Sequence, residues 1–182
     1  MADSLTTNYK VAITGSHVHD LDLVDVTADL TSASLQWPST SGQALASGTG
    51  DQQADLIFHD SRSCKSSTAE TLDLSSGTLE AGAVELIDEF GQVLDFVKVK
   101  VLMIHNKDTT RSLTIGGAAA RAWETWCTAA GDSVVIPPLG VLLLTAPKAG
   151  FAVVDTASDL LLITPSADTE TAYDIVIIGT SA

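Results

Sequence analysis

Apolar residues along this chain fall in short runs of strand length, some alternating with polar residues and some continuous. Phe96-Val97-Lys98-Val99-Lys100-Val101-Leu102-Met103-Ile104 is β-branched and partly alternates apolar with basic residues, which predicts a long strand. Asn106-Lys107-Asp108-Thr109-Thr110 supplies turn chemistry, and Ser112-Leu113-Thr114-Ile115 alternates again before Gly116-Gly117, so the two runs read as a hairpin. Val134-Val135-Ile136 precedes the turn Pro137-Pro138-Leu139-Gly140, and the continuous run 141–145 that follows predicts a strand buried on both faces. Phe151-Ala152-Val153-Val154, Leu160-Leu161-Leu162-Ile163 and Tyr173-Asp174-Ile175-Val176-Ile177-Ile178 add three more short strands between Gly, Pro, Ser and Asp punctuation. Regular spacing of this kind predicts an all-β antiparallel sandwich or barrel.

One segment departs from the pattern. Residues 118–130 carry good helix formers around Trp123 and Trp126, which predicts a short helix or a structured loop inserted in the sandwich. Three residues apart, the two indoles would share a face, either covering the end of the sandwich or forming an aromatic contact patch. In the N-terminal part, Lys10-Val11-Ala12-Ile13-Thr14 and Leu56-Ile57-Phe58 read as strands. Between them, Ser39-Thr40-Ser41-Gly42 and Ala46-Ser47-Gly48-Thr49-Gly50 read as loop. The division expected is therefore 1–50 as an N-terminal arm or loosely packed extension and 51–182 as the sandwich domain.

Composition narrows the function classes. At 182 residues with 45% hydrophobic and 18% charged residues, the chain can bury one sizeable core, roughly 70% of its unfolded surface, and should fold. A formal charge of −14 repels phosphate backbones, so no nucleic-acid partner is expected; the acidity reads as a solubility device, a complement to a basic partner or salt adaptation. The opening Met1-Ala2-Asp3-Ser4-Leu5 lacks a basic region before an apolar stretch, so no secretory signal is expected and the mature protein is expected to start here. The most apolar window, 134–147, is broken by Pro137, Pro138 and Gly140, and no membrane span or membrane partner is expected. Cys64 and Cys127 are too few and too far apart for a metal pattern; two reduced thiols are the default, with a disulfide as the alternative.

No linear motif of catalysis is present: no nucleophile elbow, phosphate-binding loop, dinucleotide fingerprint or His-Glu-x-x-His. His17 and His19 would point to one face of a strand, near Asp20, Asp22 and Asp25, but the series lacks the Gly and terminal Glu of a calcium loop. Solvent-facing histidines are the expected reading, with no metal and no cofactor. His59 and His105 read as structural histidines, and Asp60 with Arg62 as a local ion pair.

Four pieces in order resemble a pattern of small bacteriophage virion proteins of the capsid decoration, or cement, type. They are Glu70-Thr71-Leu72-Asp73-Leu74, the run from Phe96 through His105-Asn106, Leu113-Thr114-Ile115-Gly116-Gly117, and Tyr173-Asp174-Ile175-Val176-Ile177-Ile178-Gly179, spanning 54–182. Similar proteins tend to carry a Gly-rich turn where Pro137-Pro138-Leu139-Gly140 stands here. The resemblance implies a jelly-roll-like sandwich and a non-enzymatic structural role. It also implies a homo-oligomer, a trimer above all, that binds and stabilises a shell of major capsid protein. Such a protein is made in the host cytoplasm and ends on the head surface of the phage particle. The alternative class is a receptor- or carbohydrate-binding module of a tail or spike, with Trp37, Trp123, Trp126 or Tyr173 as its contact patch. A sugar-processing enzyme, the third class, would need two carboxylates facing each other across a cleft.

Overall fold

In the computed structural model the apolar runs become strands, and no described residue is helical. Described are residues 5, 7–9, 11–12, 36–37, 43–64, 68–88, 90–117, 120–127, 131–167 and 169–182. Three short strands open the chain, β1 (Thr7–Tyr9), β2 (Val11–Ala12) and β3 (Gln36–Trp37), followed by β4 (Gln43–Ser47) and β5 (Gln53–Ala54). The body is then built by β6 (Leu56–Cys64), β7 (Glu70–Asp73), β8 (Val84–Glu85), β9 (Lys98–Asn106) and β10 (Leu113–Gly116). It is completed by β11 (Ser133–Ile136), β12 (Val141–Thr145), β13 (Phe151–Ala152), β14 (Leu160–Pro165) and β15 (Thr171–Thr180).

One main sheet runs β6-β15-β9-β12, with β13 also on β9; the other runs β7-β14-β10-β11, with β8 added at its edge. Counting from β6 and leaving aside the two-residue β8 and β13, the first sheet holds the first, eighth, third and sixth of the eight strands of the body, and the second holds the second, seventh, fourth and fifth. All pairings among these strands are antiparallel, so the two sheets form a jelly-roll sandwich. Among these eight strands only β10 and β11 are consecutive and paired within one sheet.

That topology corrects the hairpin expected of β9 and β10. The turn after Asn106 exists, with Asp108 Oδ1 accepting from the Thr110 and Arg111 amides at 2.8 and 2.9 Å, but it carries the chain across to the other sheet. There β10 pairs with β11 and β14. Strand β12 is likewise not buried on both faces: it ends the first sheet and is half-buried along its length. An edge strand has a neighbour on one side only, and water reaches the other.

The core lies between the sheets, where Phe58, Leu72, Leu102, Ile104, Ile115, Leu161, Ile163, Ile175 and Ile177 interdigitate. Alternation places Tyr173, Ile175 and Ile177 of β15 on that inner face, and each aliphatic so buried contributes about 1.5–3 kcal/mol. Pairing between β9 and β15 slips by one residue: Val101 faces Ile178, Val99 faces Gly179, and Lys100 is the extra residue of a β-bulge. Without the bulge Lys100 would occupy the core-facing place that Val99 fills. Its Nζ instead donates to the Lys148 carbonyl at 2.7 Å, and burial lowers its pKa. Opposite, a Cβ on Gly179 would collide with the Lys98 carbonyl oxygen and the Phe96 ring, so glycine is required there.

A second, smaller core covers the outer face of the first sheet, where Leu45 and Ala54 pack on Val101 and Ile178. β4 pairs in parallel with β5 and antiparallel with β1, so residues 43–50 are packed against the body. Between β10 and β11 the described part of the insertion, 120–127, is a loop, tied down by a bridge from Ala122 to Leu160 and by the Trp123 amide donating to the Leu160 carbonyl at 2.8 Å.

Candidate functional site

Three places concentrate chemistry. The first lies inside the sandwich at one end, where alternation turns Arg62 and Cys64 of β6 and Tyr173 of β15 toward Glu70 of β7. Arg62 grips Glu70 through Nε at 2.8 Å and through Nη2, and reaches Asp60 through Nη1 at 2.8 Å. The Tyr173 hydroxyl donates to Glu70 Oε2 at 2.6 Å. Burial, reinforced by the Glu70 charge, pushes the Cys64 thiol up to about 12, and burial with the Glu70 hydrogen bond raises the Tyr173 phenol. Both stay protonated near neutral pH, so this cluster staples one sheet to the other and offers no activated nucleophile.

The second place is an arginine-centred acidic cluster under the 120–127 loop. Arg121 holds a left-handed backbone, φ 52°, and its guanidinium makes a forked contact to Asp159, with Nε 3.0 Å from Oδ1 and Nη2 on Oδ2. Nη1 reaches Glu80 Oε2 at 3.1 Å, Nη2 donates to the Thr78 carbonyl at 2.9 Å, and Asp73 Oδ2 stands 3.8 Å away. The side chains of Asp73 and Asp159 are both 0% exposed. Burial, offset by the Ser75 amide and reinforced by the Asp159 charge, raises the Asp73 carboxyl; for Asp159 burial also opposes the charge, but Arg121, the Thr156 amide and the Ser75 hydroxyl together lower it. The guanidinium lies at the centre of the cluster, within 4 Å of carboxylate oxygens of Asp73, Glu80, Asp155 and Asp159. Among the described residues no group of His, Cys, Asp and Glu is arranged to hold a metal.

The third place is on the surface. A tight hairpin, 86–94, leaves the body between β8 and β9, closed by the bridge from Ile87 to Val93. Asp88 Oδ1 accepts from the Phe90 and Gln92 amides at 2.9 and 2.8 Å, and Gly91 takes φ +81°, the turn that glycine allows. The result is a braced tip on which Phe90 is 88% exposed, with Ile87 and Val93 also exposed. Between this tip and the start of β6 lies a groove of about 560 Å³.

Of the two readings of Trp123 and Trp126, cover of the sandwich end or contact patch, the described side chains fit the first. Trp123 is 1% exposed, its Nε1 donating to the Ala152 carbonyl at 2.9 Å and its ring set edge-on to Phe151 at 6.2 Å. Trp126 is half-buried against it, ring centres 6.5 Å apart, and donates from Nε1 to the Trp123 carbonyl at 3.0 Å. The indoles pair, but as the cover of the sandwich end, because burial of so large a ring outweighs its polar nitrogen once that nitrogen is bonded. Tyr173 is wholly buried. Trp37 lies in β3, paired with Val11 of β2, and its side chain lies outside the described residues, as do His17, His19, Asp20, Asp22 and Asp25. The local Asp60–Arg62 pair is present, and Glu70 is the larger partner that sequence proximity does not reveal. His105 stands 3.7 Å from Asp174, which Lys107 also reaches at 3.1 Å. Cys64 and Cys127 are free thiols.

The sequence reading missed the Arg121 cluster and the Phe90 tip. A faint signal existed for each: arginine is scarce in so acidic a chain, and Asp88-Glu89-Phe90-Gly91 sets an aromatic inside turn chemistry. Set against known proteins, the chain matches no family model, no curated protein and no solved structure.

Proposed function

We propose that this chain is a non-enzymatic structural protein of a bacteriophage particle, a capsid decoration protein that binds the assembled shell on its head surface and stabilises it. The observation that carries the reading is the Phe90 tip: a braced hairpin that exposes an aromatic side chain on a sandwich whose buried polar clusters are knit internally. A turn whose backbone is already braced by Asp88 loses less entropy on docking than a free loop would, which suits a contact element. The jelly roll supports the reading as an architecture of viral shells, though it also builds lectin domains. Against the carbohydrate-binding alternative stands the burial of Trp123 and Tyr173, which leaves neither ring face open for a sugar.

A homo-oligomer, a trimer above all, fits this role, since cyclic closure would let several weak contacts act together on major capsid protein. Binding to the intact shell alone would then stabilise it by mass action. The test compares particles with and without this chain under heat and low salt, followed by add-back of purified protein. Survival should fall without it and return on add-back. Equal survival of both particle types, with the protein imaged only on tails, refutes decoration.

A further inference from the structure

Lys100 is 1% exposed, and an apolar side chain of similar length would fill its space without the cost of burying an ammonium group. The bulge turns it onto the outer face of the first sheet beside Lys98, where a turn, 146–150, lies across both stems. A Cβ on Gly150 would stand 2.9 Å from Lys98 Cβ and 3.3 Å from Lys100 Cδ. The turn is pinned there, the Ala146 amide donating to the Lys100 carbonyl and the Gly150 amide to the Ala146 carbonyl, both at 2.8 Å. Lys148, exposed on the turn, accepts the hydrogen bond from Lys100 Nζ through its carbonyl at 2.7 Å. Lys98, Lys100 and Lys148 are thus gathered on one small area.

These three lysines differ from the other described cations. Arg62 is paired with Asp60 and Glu70, Lys107 with Asp174, Arg111 with Asp108, and Arg121 with its acidic cluster. Among the described residues Lys98, Lys100 and Lys148 form no ion pair, although the chain holds 23 Asp and Glu against nine Lys and Arg. Burial first and the Lys98 charge next lower the Lys100 pKa, while Asp51, an exposed carboxylate, acts the other way. A basic area left unpaired by so acidic a chain is complementary to carboxylates brought from outside it.

We infer that Lys98 and Lys148, with Lys100 beneath them, form a docking site for an acidic segment of a partner protein. Asp or Glu side chains of that segment pair with the Lys98 and Lys148 ammonium groups at the 146–150 turn, and the buried Lys100 adds to the attractive field. Two ammonium groups at a surface hold a lone oxyanion weakly, since water competes for each; carboxylates joined on one chain engage both at once. Placing the segment on a phage shell rests on the function proposed above; the site itself rests on the three lysines and the turn that gathers them.

The test measures binding of a labelled peptide of twelve glutamates, and of a serine peptide of equal length, to the purified full chain. At about 0.1 M salt the Debye length of about 10 Å screens the −14 charge of the chain as a whole, so contact with the lysines is read over the general repulsion. The glutamate peptide should bind and the serine peptide should not. Lys148→Gln, an exposed substitution that should leave the urea midpoint unchanged, should weaken binding about threefold, and the double variant Lys98→Gln, Lys148→Gln at least about tenfold. Lys98→Arg with Lys148→Arg should preserve it and Asp51→Asn should strengthen it. Lys107→Gln, which removes a lysine already paired with Asp174, should leave it unchanged. Equal binding of both peptides, undiminished affinity in the double variant, a loss with Lys107→Gln as large as with Lys148→Gln, or displacement by inorganic phosphate at the same concentration of charge would each overturn the proposal. So would a mass that doubles with concentration in the wild type and not in the double variant, which would assign the lysines to a second copy of this chain. Peptide binding is read on the isolated chain and shell survival on particles, so either reading can fail while the other stands.

Discussion

Replacing Arg121 with alanine should be among the most damaging single changes outside the apolar core. The guanidinium is the forked partner of Asp159 and lies 3.8 Å from Asp73, and both carboxylates are wholly shielded from water. Removing one partner of a buried pair costs about 3–5 kcal/mol, because the other charge is left without compensation. Arg121 itself is 12% exposed, so water can enter the space it leaves, and we expect about 3 kcal/mol. For a chain of this size that lowers Tm by roughly 6–12 °C. Arg121→Gly should be less destabilised than Arg121→Ala by about 1 kcal/mol, since the left-handed backbone penalises any Cβ. Urea unfolding of the three proteins, with an unchanged m-value, supplies the comparison. The difference from wild type should narrow as pH falls. Asp159 is lowered in the native chain, so its stabilisation is present above the usual aspartate range and is lost as pH drops through the lowered value. In the variant the stranded carboxylates instead take up protons and cease to be charged. An Arg121→Ala protein within about 0.5 kcal/mol of wild type, or a difference independent of pH, would refute the account of this cluster.

Three other outcomes follow from the same structure. Asp73 is raised, so the native chain holds its proton more tightly than the unfolded one and stability falls as pH rises above the ordinary aspartate range; Asp73→Asn should flatten this slope and be no less stable than wild type at neutral pH, as read by urea titrations. Trp123→Ala should cost about 3–5 kcal/mol in chemical denaturation, from the cavity and the lost bond to the Ala152 carbonyl, and half-buried Trp126→Ala distinctly less. A thiol reagent at pH 8 should label Cys127 before Cys64, whose thiol is buried and pushed up to about 12; Cys64 should react only on unfolding.

Strand positions were legible because alternation and β-branching report local burial directly. The runs around Val101, Val135, Leu143, Leu161 and Val176 all fall in strands. Partnership was less legible, as β9 and β10 illustrate: Asp108 fixes the turn by bonds to the next few amides, yet which sheet receives β10 depends on pairing with Leu113↔Pro165 and Leu113↔Ile136, far along the chain. The Trp123–Trp126 association was readable from spacing, while its burial depended on Ala152 and Phe151 arriving from another element. The Arg121 cluster draws on Asp73, Glu80, Asp155 and Asp159, which no short window contains. Phe90 escaped notice for the opposite reason, since one aromatic in a polar turn forms no periodic pattern.

The extra residue at Lys100 has a consequence for how the chain tolerates change in its length. Losing one residue from the middle of a central strand ordinarily turns half the side chains inside out. Here Val99 already faces Gly179 and Val101 already faces Ile178, so excising Lys100 would join two segments that are in phase with each other. The shortened strand would alternate without interruption, giving up the Lys100 bond to the Lys148 carbonyl and the Ala146 amide bond to the Lys100 carbonyl. A deletion at Lys100 should therefore yield a folded protein, while a deletion at Leu102 or Met103 should not, and the yield of soluble protein from the three clones separates the cases. β9 is in this sense a strand written one letter too long, whose surplus letter is the one that can be struck out.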